Sequence, residues 1–361
     1  NDPELVRMAV PKLEKLCQFF ARYEDHRGLL NPNAKGLPAL KVFCGWSFML
    51  KENGVPASFN YEYVISLAAA AELARIVGRQ DLTERWSAKS KAVLESARHA
   101  FWDASRKVFL DGERDGKRVD AVSATVNAWA ALAGAVDRTE AGAWAERLRT
   151  DPTIMQPVCP YDATLLLDAF LSLGLDLHAR ELLDHYFGSI VRNGEPTLPE
   201  YWSAGVSGMR YWNDTSRCHA FGAGPAYQFP SHILGVKPIV PGWKRVRIEP
   251  HSLGLNNARG RVPSPHGDIA VEWERDDLSW RLDVDLPSGI AAEVTLPRIG
   301  WGNQRLVLDG REVQRIHGWE KFRAQACREK VDGFPHNVRC VLDRPGRHTV
   351  VTYARSSHGR R

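Results

Sequence analysis

Apolar residues recur at helical spacing over the first two-thirds of the chain and then switch to alternation. The segment Pro3 to Tyr23 places Leu5, Met8, Leu13, Leu16, Cys17, Phe19 and Phe20 on helical spacings, the pattern of a helix with a buried face. Asp2 suits its N-cap and Pro3 its first position, while Pro11 predicts a kink or a later start. Further helices are predicted at Tyr61 to Val77, Leu82 to Phe101, Ala121 to Val136, Ala141 to Arg149, Ala163 to Ser172 and Leu177 to Val191. A last one is predicted near Ala220 to Leu234. Short connections fit antiparallel hairpins. Paired helices in series predict an α/α toroid of inner and outer helices. About eight are visible, and a complete six-hairpin ring has two per hairpin. The (α/α)6-type toroid is therefore expected to be N-terminally incomplete, with helices ahead of Asn1.

The pattern changes after Gly235. Lys237-Pro238-Ile239-Val240-Pro241-Gly242 cannot continue a helix. Period-two runs follow at Arg245 to Ile248, Ile269 to Glu274, Ser279 to Asp285, Ala292 to Leu296, Arg305 to Leu308, Asn337 to Leu342 and His348 to Tyr353. Turn pairs such as Asp309-Gly310 and Pro345-Gly346 separate several of them. These runs predict an antiparallel β-sandwich. The expected fold is α plus β in two domains, a toroid over 1–236 and the sandwich over 237–361.

Composition narrows the function. Charged residues make up 25% of the 361 residues and the net charge is +5. The basic residues are dispersed, and the basic tail Arg355 to Arg361 is read as a frayed terminus, so no nucleic-acid partner is expected. No apolar stretch approaches the roughly 18 residues of a membrane-spanning helix, so no membrane partner is expected. The six cysteines show no CxxC spacing, so no metal is expected. Pairing of Cys327 with Cys340 stays open, and so does the compartment, cytoplasm or periplasm. The 12 tryptophans point towards carbohydrate, because aromatic faces stack on the apolar faces of sugars.

The connection richest in chemistry runs from Gly194 to His219. It holds Glu195, Thr197-Leu198-Pro199-Glu200-Tyr201-Trp202, Tyr211-Trp212-Asn213-Asp214 and Cys218-His219. Glycosidic cleavage needs one carboxyl group to protonate the leaving oxygen and another to activate water or attack the anomeric carbon. Aromatic walls exclude water and raise a carboxyl pKa. Glu200, beside Tyr201 and Trp202, is the leading catalytic candidate, with Glu195 as the fallback. Asn213-Asp214-Thr215-Ser216 reads as a helix N-cap segment.

Several of these runs, taken together, resemble the α-L-rhamnosidase family of glycoside hydrolases. They are Cys218-His219-Ala220-Phe221-Gly222-Ala223-Gly224-Pro225, then Leu234-Gly235-Val236-Lys237-Pro238, Pro241-Gly242-Trp243 and Val262-Pro263-Ser264-Pro265-His266-Gly267. The resemblance implies an (α/α)6 barrel, release of terminal α-L-rhamnose with inversion, and a glutamate general base in a Thr-x-x-Glu-x-Trp-like loop. Thr197 to Trp202 matches that loop, so Glu200 takes the role of base, and His219 matches a sugar-contacting histidine. Trp46, Trp202, Tyr211 and Trp212 complete the expected substrate-binding set. The implied partner is a rhamnose-containing glycoside or polysaccharide, with no cofactor. Two departures stand out. The family's acid-bearing loop matches nothing from Asn1 onward, and Gly45-Trp46 stands where the family tends to have Asp-Trp. Two other readings stay open at this point. One is another toroid enzyme, an unsaturated-uronide hydrolase or a polysaccharide lyase with Tyr211 and His219. The other is a carbohydrate-binding remnant without catalysis.

Overall fold

The computed structural model describes residues 2–43, 54–202, 216–297, 299, 304–316 and 337–354. These fall into two compact units, Asn1–Gly224 and Pro225–Arg361.

The first unit is built on helices. Helix α1 is Pro3–Ala21, and its cap Asp2 accepts from the N–H groups of Glu4 and Leu5. It runs through Pro11 without a break in the assigned helix. Helices α2 (Ala57–Ile76) and α3 (Gln80–Phe101) pack as a pair. Their short link is possible because Gly78 adopts φ 76°, a left-handed conformation that glycine takes at no steric cost. Helices α4 (Ala124–Leu132), α5 (Ala141–Thr150), α6 (Pro160–Ser172) and α7 (Asp176–Arg192) follow. Helix α4 is shorter than predicted at both ends. Ser123 caps it by accepting from Val126 N–H, and the residues ahead of Ser123 have turned into irregular chain. Five short strands were not predicted: β2 (Trp102–Asp103) pairs with β3 (Val108–Phe109), while β4 (Gly112–Arg114) pairs with β5 (Lys117–Arg118) and with β1 (Val55–Pro56). Each is too short to show a period in sequence, although Asp115-Gly116 marks the β4–β5 turn. Tyr61, Phe101 and Phe109 fill the core beside these strands, with ring centroids 5.5–6.2 Å apart. No described helix is long and apolar enough to cross a membrane.

The predicted helix Ala220 to Leu234 is instead a 3₁₀ turn, Ala220–Ala223, a short helix, Gly224–Gln228, and a π turn, Phe229–Ile233. Pro225 and Pro230 supply no N–H to a continuous α-helix. The π turn belongs with the strands: Trp273 Nε1 donates to Ile233 O at 2.7 Å, and His251 N–H donates to His232 O at 2.9 Å.

In the second unit the described residues form two main sheets. One has four strands: β6 (Val236–Pro238), β7 (Arg245–Ile248), β11 (Ala291–Pro297) and β14 (Asn337–Leu342), in the order β14-β11-β7-β6. The other has six: β8 (Asn257–Val262), β9 (Ile269–Arg275), β10 (Ser279–Leu286), β12 (Gln304–Leu308), β13 (Arg311–Ile316) and β15 (Gly346–Ala354), in the order β13-β12-β15-β10-β9-β8. Side chains from both sheets share one core containing Val246, Ile248, Val271, Trp273, Leu282, Val294 and Val350, which makes the unit a sandwich. One pairing departs from the antiparallel expectation, because β7 and β11 run parallel. Strand β8 escaped prediction because its sequence, Asn-Ala-Arg-Gly-Arg-Val, buries only Val262; an edge strand needs little apolar alternation.

His232 lies 6% exposed in this unit, and burial, followed by Lys237 and His251, pushes its pKa down to about 3. The folded ring therefore stays neutral while the unfolded one takes a proton below about 6.5. Below that pH the unfolded state binds more protons, so stability falls as pH falls. The urea midpoint is expected to drop as pH is lowered from about 6.5 towards about 3, and His232→Gln is expected to flatten that slope.

Candidate active site

Helix α7 ends at Arg192, and Gly194 takes φ 67°, turning the chain into the loop that carries Glu200. That loop is held by a second segment, residues 216–219. Glu200 N–H donates to Ser216 O at 2.9 Å, and His219 N–H donates to Leu198 O at 2.8 Å. Thr197 Oγ1 donates to Arg217 O. Ser216 N–H approaches Glu200 Oε2 at 3.4 Å. The Glu200 side chain is half-buried, and the backbone bonds hold its loop against the segment that carries His219. Glu195 is exposed, outside these bonds.

His219 caps the 3₁₀ turn: Phe221 N–H donates to its Nδ1 at 3.2 Å. A nitrogen that accepts carries no proton, so the neutral ring holds its hydrogen on Nε2, assigned from this bond. The ring meets Phe221 at 4.2 Å between centroids, and Phe221 meets Tyr161 at 5.2 Å. His219 thus offers one N–H donor from a fixed orientation. Gly222 is required by closeness: a Cβ there would lie 2.3 Å from the Leu198 Cβ. The spacing between the His219 turn and the Glu200 loop therefore depends on a missing side chain.

Trp202, expected among the sugar-facing residues, is corrected by its surroundings. It is 3% exposed. Its ring packs on Tyr186 at 5.1 Å and on Phe187 at 5.4 Å, both on α7, and the backbone N–H of Trp202 donates to Val158 O at 3.4 Å. Trp202 anchors the loop. Beneath it, Asp162 in the first turn of α6 is buried and accepts from Cys159 Sγ at 3.2 Å. Burial, and then the charge of Asp162, raise the pKa values of Cys159 and Tyr186, so both stay protonated. The sequence signal for the Trp202 anchor was present, because Tyr186 and Phe187 lie on one predicted helix, but nothing in the sequence joins that helix to the loop. Trp46, Tyr211 and Trp212 lie outside the described residues, as does Cys327. Among the described residues no cluster of three or more His, Cys, Asp or Glu groups is placed to hold a metal ion.

Comparison with known proteins bears on this arrangement. Residues 235–306 match the bacterial α-L-rhamnosidase C-terminal domain. An α-L-rhamnosidase of Alteromonas sp. (strain LOR) is 33% identical over 130 residues, which cover 34% of this chain and 14% of that protein. The crystal structure of a GH78 family rhamnosidase of Bacillus sp. GL1 superposes with a TM-score of 0.71 at 25% identity, over 82% of this chain and 31% of that one. Over residues 235–306 the chain is similar to the α-L-rhamnosidase family. A Streptomyces avermitilis α-L-rhamnosidase solved in complex with L-rhamnose shares the fold, with a TM-score of 0.67 at 17% identity, over 97% of this chain and 31% of that one. The chain thus spans less than a third of the length of each family member named here. The runs Gly235-Val236-Lys237-Pro238 and Pro241-Gly242-Trp243 that carried part of the resemblance fall inside the matched domain.

Proposed function

We propose that the chain is the C-terminal part of an α-L-rhamnosidase, and that Glu200 is the general base of an inverting hydrolysis of terminal α-L-rhamnosides. The observation that carries this reading is the clamp joining Glu200 and His219. It sets a half-buried carboxylate and a fixed imidazole N–H on adjacent, hydrogen-bonded segments. In the proposed step Glu200 takes a proton from a water molecule, which attacks the anomeric carbon opposite the leaving group. Ser216 N–H steers Oε2 and leaves Oε1 for the water. His219 Nε2–H donates to a sugar hydroxyl. A carboxylic acid on the far side of the sugar, roughly 6.5–9.5 Å from the base, protonates the leaving oxygen. The reaction needs no cofactor.

The helical unit is read as part of an (α/α)6-type toroid. Helices α2, α4 and α6 touch in succession, with α3 against α2 and α7 against α6, and this alternation supports inner and outer layers. The decisive experiment is product stereochemistry. With the full protein and an aryl α-L-rhamnoside, proton NMR is expected to show β-L-rhamnose first, followed by mutarotation. The α anomer as first product would overturn inversion and the role of Glu200 as base.

A further inference from the structure

We infer that the outer face of the six-stranded sheet carries a second carbohydrate site, built for an uncharged, hydroxyl-rich sugar. The site is independent of Glu200 and uses only residues of the second unit. Strands β8, β9, β10 and β15 are neighbours there, and their register sets Arg261 opposite Ala270, Ala270 opposite Asp285 and Asp285 opposite Arg347. In the next row Arg259 faces Glu272. Residues two apart share a sheet face, so all six belong to the side turned away from the core. The single methyl of Ala270 sits among long side chains and leaves a depression. The resulting cavity has a volume of about 530 Å³, within the roughly 300–1,000 Å³ of small-molecule sites.

The chemistry of its walls selects the ligand. Among the described residues no side-chain hydrogen bond or close ion pair engages Arg259, Glu272 or Asp285, and Arg347 acts on the neighbouring Asp283 only through its charge. Side chains directly opposite on one face lie close enough to interact, yet these four stand apart around the hollow. Two open guanidinium groups only donate, and two open carboxylates only accept. Their charges cancel, so an anion or a cation meets as much repulsion as attraction. A sugar hydroxyl both donates and accepts, so each one can use an arginine and a carboxylate together.

The test is ligand-observed NMR titration of the full chain with L-rhamnose, D-galactose and D-galacturonate at concentrations up to tens of millimolar. At least one neutral sugar is expected to bind. Arg259→Ala and Asp285→Ala are each expected to weaken it about tenfold, the loss of one charged hydrogen bond. Circular dichroism checks that the variants fold; their side chains are exposed, and folding is expected to be retained. If a variant does not fold, Arg347→Gln and Glu272→Gln replace it. Binding unaffected by the sheet variants, binding of galacturonate alone, or no binding of any probe would each overturn the inference.

Discussion

Glu200→Gln is expected to lower kcat on an aryl α-L-rhamnoside by roughly 10²–10⁴-fold, the range for removing a general base, with little change in KM. Glutamine keeps the shape of the side chain, and its carbonyl oxygen can still accept from Ser216 N–H, so the clamp to residues 216–219 survives. What is lost is the ability to take a proton from water. Thermal stability should be close to that of the parent protein, because the side chain is only half-buried. A variant retaining near-normal kcat would remove Glu200 from the mechanism.

Trp202→Ala is expected to cost about 3–5 kcal/mol of stability in the helical unit, as for other fully buried large aromatics, and to reduce activity by releasing the Glu200 loop. The indole fills the space over Tyr186 and Phe187, and alanine would leave a cavity there. Trp202→Phe separates packing from polarity. The indole Nε1 is buried with no hydrogen-bond partner among the described residues, so the phenyl ring forfeits volume but no hydrogen bond, and its cost should be much smaller. Urea unfolding followed beside steady-state kinetics reads both effects. A sugar platform would give the opposite result, a raised KM with stability unchanged, and would refute the anchor.

The contrast between these two residues shows what the sequence can carry. Glu200 stands out from its chemistry and neighbours alone. Its clamp does not, because the bonds to Ser216 and from His219 to Leu198 are backbone bonds that no residue type announces. Trp202 looked like a sugar platform since an exposed and a buried indole are identical in sequence. The strands β9 and β10 were legible because each buries one face over several residues, as Val271 and Trp273 do in β9, and helix α6 because its apolar run is buried on nearly every side. The short strands β2 to β5 bury too few residues to print a period. The tail after His219 read as helical from its composition, and prolines at 225 and 230 diverted it. Strand β8 was hidden by Gly260, where a Cβ would press on Leu234 at 2.6 Å; the residue that fits the packing is the one that weakens a strand signal.

The sandwich is woven rather than stacked. The chain leaves the four-stranded sheet after β7, returns at β11, and exchanges sheets again after β11, β13 and β14. The parallel pairing of β7 with β11 encloses three strands, β8, β9 and β10, that belong to the opposite sheet. Neither sheet can therefore peel off alone, and amide protons from Val246, Val271 and Val350 should exchange with solvent through one shared global opening.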